Sequence, residues 1–212
     1  MTAGQQRAWD RSWEQWGADL ADLPGGPLNT AVWLGREAPV VLEIGSGMGE
    51  STALMALDAP ELDHLAVEVY QPGLAQLLLR IEHAGITNLR LLRGDAYQLL
   101  HRHLTEESLH AVRIYFPDPW PKRRHHKRRL VTPEFVTLVA SRLARGATLH
   151  LATDWEPYAE EMLAACTAER ALRNTASGER FAARPAWRPL TKFERRAEQE
   201  GRIVRDLLFT KR

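Results

Sequence analysis

Five carboxylates recur along the chain at intervals close to one strand–helix unit. Glu43, Glu68, Asp95, Asp118 and Asp154 are separated by 25, 27, 23 and 36 residues. Each closes or follows a short apolar run, and the first leads into Gly45-Ser46-Gly47-Met48-Gly49. In open α/β sheets ligands bind outside the carboxyl ends of the strands, so the five carboxylates are expected to face one crevice. A row of negative charge repels the pyrophosphate of a dinucleotide, and the glycine spacing is not the G-x-G-x-x-G of dinucleotide folds. It suits a cation that also carries hydrogen-bond donors. S-adenosylmethionine fits: it has a sulfonium, an ammonium, ribose hydroxyls and an adenine amine, and no phosphate. On this reading Gly45, Gly47 and Gly49 let the backbone approach the ligand. Glu68 accepts from the ribose hydroxyls and Asp95, after the Gly94 turn, from the adenine amine. Glu43 orients the glycine loop or reaches the methionine end.

The fourth carboxylate sits in a different setting. Phe116-Pro117-Asp118-Pro119-Trp120-Pro121-Lys122 holds three prolines in five positions, which fixes the backbone and removes amide donors. A rigid Asp-Pro-aromatic corner suits a flat nucleobase: Asp118 can accept from base N–H groups, and Trp120 can stack or wall the pocket. It is similar to the (Asp/Asn)-Pro-Pro-aromatic motif of amino-methyltransferases that act on bases. The plain alternative is a stiff loop with a surface aspartate. Residues 122–129 then carry Lys122, Arg123, Arg124, His125, His126, Lys127, Arg128 and Arg129, six formal positive charges in eight positions. Without them, 22 basic residues face 27 acidic ones, so a net charge of +1 conceals a focused cationic segment. Such focusing points to a polyanion, nucleic acid above all.

The elements that must carry these groups follow from the apolar pattern. Strands are expected at residues 40–44, 64–69, 89–93, 111–116, 148–153 and 203–210. Helices are expected at 50–57, 71–84, 97–103, 133–143 and 156–169, with Pro72 in a first turn and Thr132 as a cap. Strands spaced by helices mean an α/β fold with a doubly wound, mostly parallel sheet. Residues 1–36 read as an N-terminal extension, helical or partly disordered, ahead of a single domain at 37–212. Trp9, Trp13 and Trp16 recur at helical spacing there, and packing onto the domain is favoured over stacking on a nucleotide. Pro24-Gly25-Gly26-Pro27 ends that segment.

Composition narrows the setting. The 212 residues suit one α/β domain. No apolar run reaches 18 residues and the first ten are polar, so neither a membrane span nor secretion is expected, and the cytoplasm is the simplest location. One cysteine, Cys166, excludes an internal disulfide and a cysteine-rich zinc site. Adjacent His125 and His126 lie in a cationic run that repels a metal ion, so no metal is expected.

Residues 116–130 as a string closely resemble the bacterial tRNA (guanine-N7-)-methyltransferase family. The resemblance extends from about Pro39 onward. It takes in residues 43–49, Glu68 in Val-Glu-Val, Gly94-Asp95-Ala96, Thr153-Asp154-Trp155 and Thr191-Lys192-Phe193-Glu194. It implies a seven-stranded sheet of the class I S-adenosylmethionine-dependent, Rossmann-like type, with tRNA as partner, no obligate protein partner, and a monomer or homodimer. By the resemblance, Glu43, Glu68, Asp95 and Asp118 bind the cofactor and Asp118 is also catalytic. Lys122, Asp154, Thr191, Lys192, Phe193 and Glu194 bind the substrate base, and residues 123–129 contact tRNA. The target implied is the guanine at position 46 of the variable loop.

Two of these positions have good local readings of their own. Thr191 and Glu194 also form a capping-box pattern, and Asp154 could cap the helix after it. Guanine N7 carries a lone pair and no proton, so positioning rather than a strong base is expected to dominate. A carboxylate on the guanine Watson–Crick edge would raise electron density at N7, and either Asp118 or Asp154 could supply it. Two rival readings remain: a methyltransferase for another base or for a small molecule, the latter disfavoured by the basic run, and a tRNA-binding module without turnover.

Overall fold

The computed structural model describes residues 1–176 and 180–212. Met1–Thr105 and Glu106–Arg212 form separate units, each with strands of its own. In the first unit four parallel strands, β1 (Gly17–Asp19), β2 (Val40–Ile44), β3 (Asp63–Glu68) and β4 (Leu89–Arg93), lie in the order β1-β4-β3-β2. Every residue of β2 is buried, as expected for a strand covered on both faces. The helices are α1 (Ala3–Trp16), α2 (Thr30–Leu34), α3 (Glu50–Asp58), α4 (Gln71–Ala84) and α5 (Ala96–Arg102). The fourth of these runs over the residues predicted for it. Pro72 starts it, Gly85 at φ 64° ends it, and Leu74, Leu77, Leu78 and Ile81 bury its inner face.

The N-terminal segment is helical over Ala3–Trp16 and its tryptophans pack on the first unit. Thr2 and Gln5 close a capping box on α1. That helix lies on α4, where Glu82 accepts from Ser12 and from Arg11. Trp9, Trp13 and Trp16 pack against the apolar cluster that includes Leu74, Leu78 and Ile81, with Trp9 and Trp13 stacked 4.0 Å apart. The chain then enters β1, which pairs with Leu91, Leu92 and Arg93 of β4. Three residues, Gly-Ala-Asp, leave no alternation to read in the sequence. The strand exists because its neighbour has free ladder groups and because Gly17 fits beneath the Trp13 ring, where any Cβ would come within 2.3 Å of it.

The second unit holds β5 (Leu109–Tyr115), β6 (Leu143–Thr153), β7 (Leu172–Asn174) and β8 (Arg205–Lys211), in the order β5-β6-β8-β7. Strands β5 and β6 are parallel, whereas β8 is antiparallel to both β6 and β7. The helices are α6 (Pro133–Arg142), capped by Thr132 as expected, α7 (Glu156–Ala168) and α8 (Lys192–Gln199). The seven strands implied by the resemblance are β2 to β8, and β1 is the eighth. Strand β6 starts five residues earlier than its pattern suggests, because α6 passes into it without a loop and Gly146 at φ 78° accommodates an irregular start.

Candidate active site

In the first unit the carboxyl ends of β2, β3 and β4 carry the predicted ligand residues. Gly45, Gly47 and Gly49 have φ of 80°, 55° and 69°, a region that other residues rarely adopt. A Cβ on Gly45 or Gly47 would meet nothing within 4 Å, so both backbones border open space that a ligand can fill. Gly49 and Gly73 are glycines for the opposite reason: a Cβ would strike Leu77 or the Gly47 carbonyl. Glu68 braces this loop. Its Oε2 accepts from the Gly47 N–H at 2.9 Å, and its Oε1 from the Val69 and Tyr70 N–H groups at 2.7 and 2.9 Å. Three of about four acceptor positions are thereby taken, and Oε2 keeps one for a ribose hydroxyl. Asp95 is exposed and caps α5 through the Gln98 N–H at 2.9 Å. Glu43 is buried in β2 and engaged within the protein. The donor set therefore fits S-adenosylmethionine: open glycine backbone and a ribose acceptor, with Arg80 bracing the loop from Nε to the Met48 carbonyl at 3.2 Å.

In the second unit the chain leaves β5 through two residues in the left-handed region, Phe116 at φ 50° and Trp120 at φ 43°. Asp118 stands exposed between them. The Phe116 N–H donates to the Ala152 carbonyl at 2.7 Å, which ties the loop to β6. The basic segment is a 3-10 turn, Arg123–Arg128, with Lys122 as its cap. Lys122, Arg123, Arg124, Lys127 and Arg128 are exposed, and His125 and His126 are half-buried. His125 meets the Trp120 ring edge-on and Arg128 lies 4.9 Å over it, so Trp120 is a wall braced by the turn.

Arg129 stands apart from its exposed neighbours in the run. It is buried, donates from Nε to the Pro119 carbonyl at 2.8 Å, pairs with Glu161 and lies 4.7 Å over the Tyr158 ring. A guanidinium at the end of the run thus binds the Asp118 loop to α7. Sequence alone gave it the same charge as its neighbours and no sign of its burial.

The segment 191–194 divides by side chain. Thr191 caps α8 through the Glu194 N–H at 3.1 Å. Glu194 does not return the bond. It is buried, and both its oxygens take Arg188, at 2.6 and 3.0 Å. Both side chains hold the helix start. Lys192 and Phe193 are exposed, and Phe193 stacks on Phe116 with ring centres 6.1 Å apart. Asp154 is half-buried and accepts from Arg202 Nε at 2.9 Å. It does not cap α7, whose N-cap is Trp155.

Arg188 was not singled out from the sequence. It is fully buried and also donates to both oxygens of Asp206 on β8, at 2.9 and 3.0 Å. Asp206 in turn accepts from His150 Nε2 at 2.7 Å, and His150 Nδ1 lies 2.9 Å from the Tyr115 hydroxyl. Burial favours the neutral ring, and with Nε2–H donating to Asp206 this leaves Nδ1 to accept from the tyrosine hydroxyl. Burial holds the imidazole below its ordinary value against the pull of Asp206, and Arg188 and Arg113 act in the same direction as burial. One arginine between a glutamate six residues on and an aspartate eighteen residues on leaves no periodic signal.

Two folds of known structure resemble this one at low sequence identity. The 16S rRNA methyltransferase KamB superposes with a TM-score of 0.61 at 18% identity, over 84% of this chain and 89% of that one. A 30S ribosomal A1408 methyltransferase from an uncultured bacterium gives 0.58 at 13%, over 90% and 100%. Residues 37–207 match a family model described as "Putative methyltransferase". Fold and donor set define a class I S-adenosylmethionine-dependent methyltransferase. The tRNA (guanine-N(7)-)-methyltransferase of Streptomyces avermitilis is 51% identical over 99% of this chain and 71% of its own length. That of Alcanivorax borkumensis is 48% identical over 100% and 87%. The chain belongs to the tRNA (guanine-N7-)-methyltransferase family.

Proposed function

We propose that this protein methylates N7 of guanine in tRNA, at position 46 of the variable loop, in the cytoplasm. The observation that carries the reading is the loop after β5, where an exposed Asp118 fixed between two prolines runs directly into an exposed cationic turn. Its relatives by sequence carry the name of that activity. When bound, S-adenosylmethionine supplies a methyl group on a sulfonium. Residues Glu43, Gly45, Gly47, Gly49, Glu68 and Asp95 hold it. Asp118 accepts from the Watson–Crick edge of guanine, which raises electron density at N7 and stabilises the charge that develops on the ring. Asp154 is already engaged by Arg202, and this favours Asp118 for the role. N7 has no proton to lose, so the protein's contribution is chiefly orientation, a term that can reach about 7–11 kcal/mol. Lys122, Lys192 and Phe193 are the exposed groups suited to a base and its neighbours. Arg123, Arg124, His125, His126, Lys127 and Arg128 suit the phosphates, which give affinity and register but no base identity. Among the described residues no helix is long and apolar enough to cross a membrane.

The test is nucleoside analysis of an unmodified tRNA transcript after incubation with protein and S-adenosylmethionine. 7-Methylguanosine is expected, and it should vanish when the variable-loop guanine is replaced. A different methylated nucleoside would overturn the target. Tight binding of cofactor and tRNA without product would overturn the catalytic reading in favour of a binding module.

A further inference from the structure

Strand β1 is parallel to β4, so its carboxyl end lies on the edge where β3 and β4 also end. That edge is where ligands of such sheets bind. The chain leaves it as Asp19-Leu20-Ala21-Asp22. The Leu20 N–H donates to the Arg93 carbonyl at 2.9 Å, and the Asp19 carboxylate takes the Arg93 guanidinium. Leu20 is buried, and its side chain lies so close over Gly94 that a Cβ there would come within 2.6 Å of it. Gly94, at φ 156°, is the turn that delivers Asp95. Leu20 therefore clamps one of the proposed cofactor loops from outside the region matched by the family model, which begins at residue 37.

The same residues border open volume. Asp19, Leu20 and Asp22, with Val69, Gly94 and Gln98, line a cavity of about 460 Å³, within the range of small-molecule sites. Val69 follows the proposed ribose acceptor Glu68 and is 70% exposed, which gives a flat ring an apolar surface to lie on. Gln98 sits one helical turn after Asp95. Its side-chain amide offers a donor and an acceptor side by side, the arrangement that matches the amine and ring nitrogen of adenine.

We infer that the turn after β1 is the outer wall of the pocket for the cofactor's adenine ring, with Gln98 reading the ring's edge. This rests on the cofactor reading above and extends it to the N-terminal segment. The helix α1 and strand β1 then serve recognition as well as packing. The wall holds the Gly94 turn in place, and the amide selects a purine that carries an exocyclic amine.

Calorimetry on the full chain tests this with two ligands: S-adenosylhomocysteine, and its analogue whose purine lacks the exocyclic amine. Wild-type protein should bind the analogue more weakly. Gln98→Leu should weaken S-adenosylhomocysteine by about ten-fold or more and shrink the penalty for the missing amine at least several-fold. Leu20→Ala should weaken both ligands alike. If it does not fold, Gln98→Leu carries the test, since its side chain is only half-buried on a helix surface. tRNA affinity should not change in Gln98→Leu. An amine penalty equal in wild type and Gln98→Leu overturns the inference while leaving the cofactor reading intact. No binding of either ligand by wild type overturns the cofactor reading and this inference with it.

Discussion

Asp118 is held by geometry that few residues share. Phe116 and Trp120 both have positive φ, at a cost on the order of 1–3 kcal/mol each for non-glycine residues. The frame that holds them is the Phe116 bond to β6 and the Arg129 bond to the Pro119 carbonyl. Strain of this kind persists where the surroundings over-determine it, and here it fixes one carboxylate at the surface. Asp118→Ala is therefore expected to lower kcat by about 100-fold or more, by analogy with the loss of one preorganised group at a reacting centre. The side chain is exposed, so tRNA affinity and thermal midpoint should stay close to wild type. Single-turnover rates beside filter binding separate the two effects, and full activity would remove Asp118 from the centre.

The basic turn shows how one run of like residues divides once it folds. Arg123, Arg124, Lys127 and Arg128 are exposed, whereas Arg129 is buried against Tyr158 and Pro119. Neutralising two or three of the first four should reduce the log–log salt slope of tRNA binding by about 0.7–0.9 per lost contact. Arg129→Ala should leave the slope nearly unchanged and lower the thermal midpoint instead. At the start of α8, Arg188→Met removes the buried cation shared by Asp206 and Glu194, and leaves Glu194 only Arg184 at 3.6 Å. A loss of about 3–5 kcal/mol in denaturant unfolding is expected, far more than exposed arginines such as Arg196 would give. The long elements were legible because apolar periodicity sets them: α4 and β2 to β4 stand within a residue of their predicted positions. Glu68 and Asp95 stand at the carboxyl ends of β3 and β4, where a parallel sheet delivers them side by side. What the pattern could not carry is what tertiary contact alone creates. Strand β1 has three residues without alternation, Arg129 is buried by a tyrosine 29 residues further on, and Glu194 is claimed by an arginine instead of by its own helix cap.

Charge is divided between the two units far more sharply than the net value suggests. Met1–Thr105 carries seven basic and thirteen acidic residues, and Glu106–Arg212 carries twenty-one and fourteen. The acidic unit holds the proposed pocket for a cationic cofactor and the basic unit the groups proposed for RNA, so one near-neutral chain presents opposite fields to opposite ligands. The basic unit also buries its own titratable switch. His150 is fully buried among Tyr115, Asp206, Arg188 and Arg113, and its value lies below the ordinary one. In the unfolded chain it takes a proton near pH 6.5, whereas in the folded chain it takes one only at lower pH. Below that point the unfolded state binds more protons, so stability falls as pH falls. The contribution is complete above about pH 7 and is lost progressively through the range below 6.5. Protonation would also reverse the bond with the Tyr115 hydroxyl, since Nδ1 would then donate and the phenolic oxygen accept. The thermal midpoint should therefore drop between pH 7.5 and 5.5. His150→Gln should be less stable at pH 7.5 yet flatter across that range, because it keeps polarity without a proton to gain. For a chain of this size each kcal/mol moves the midpoint by about 2–4 °C, well within calorimetric reach. A variant whose profile falls as steeply as wild type would assign the acid sensitivity to the carboxylates instead.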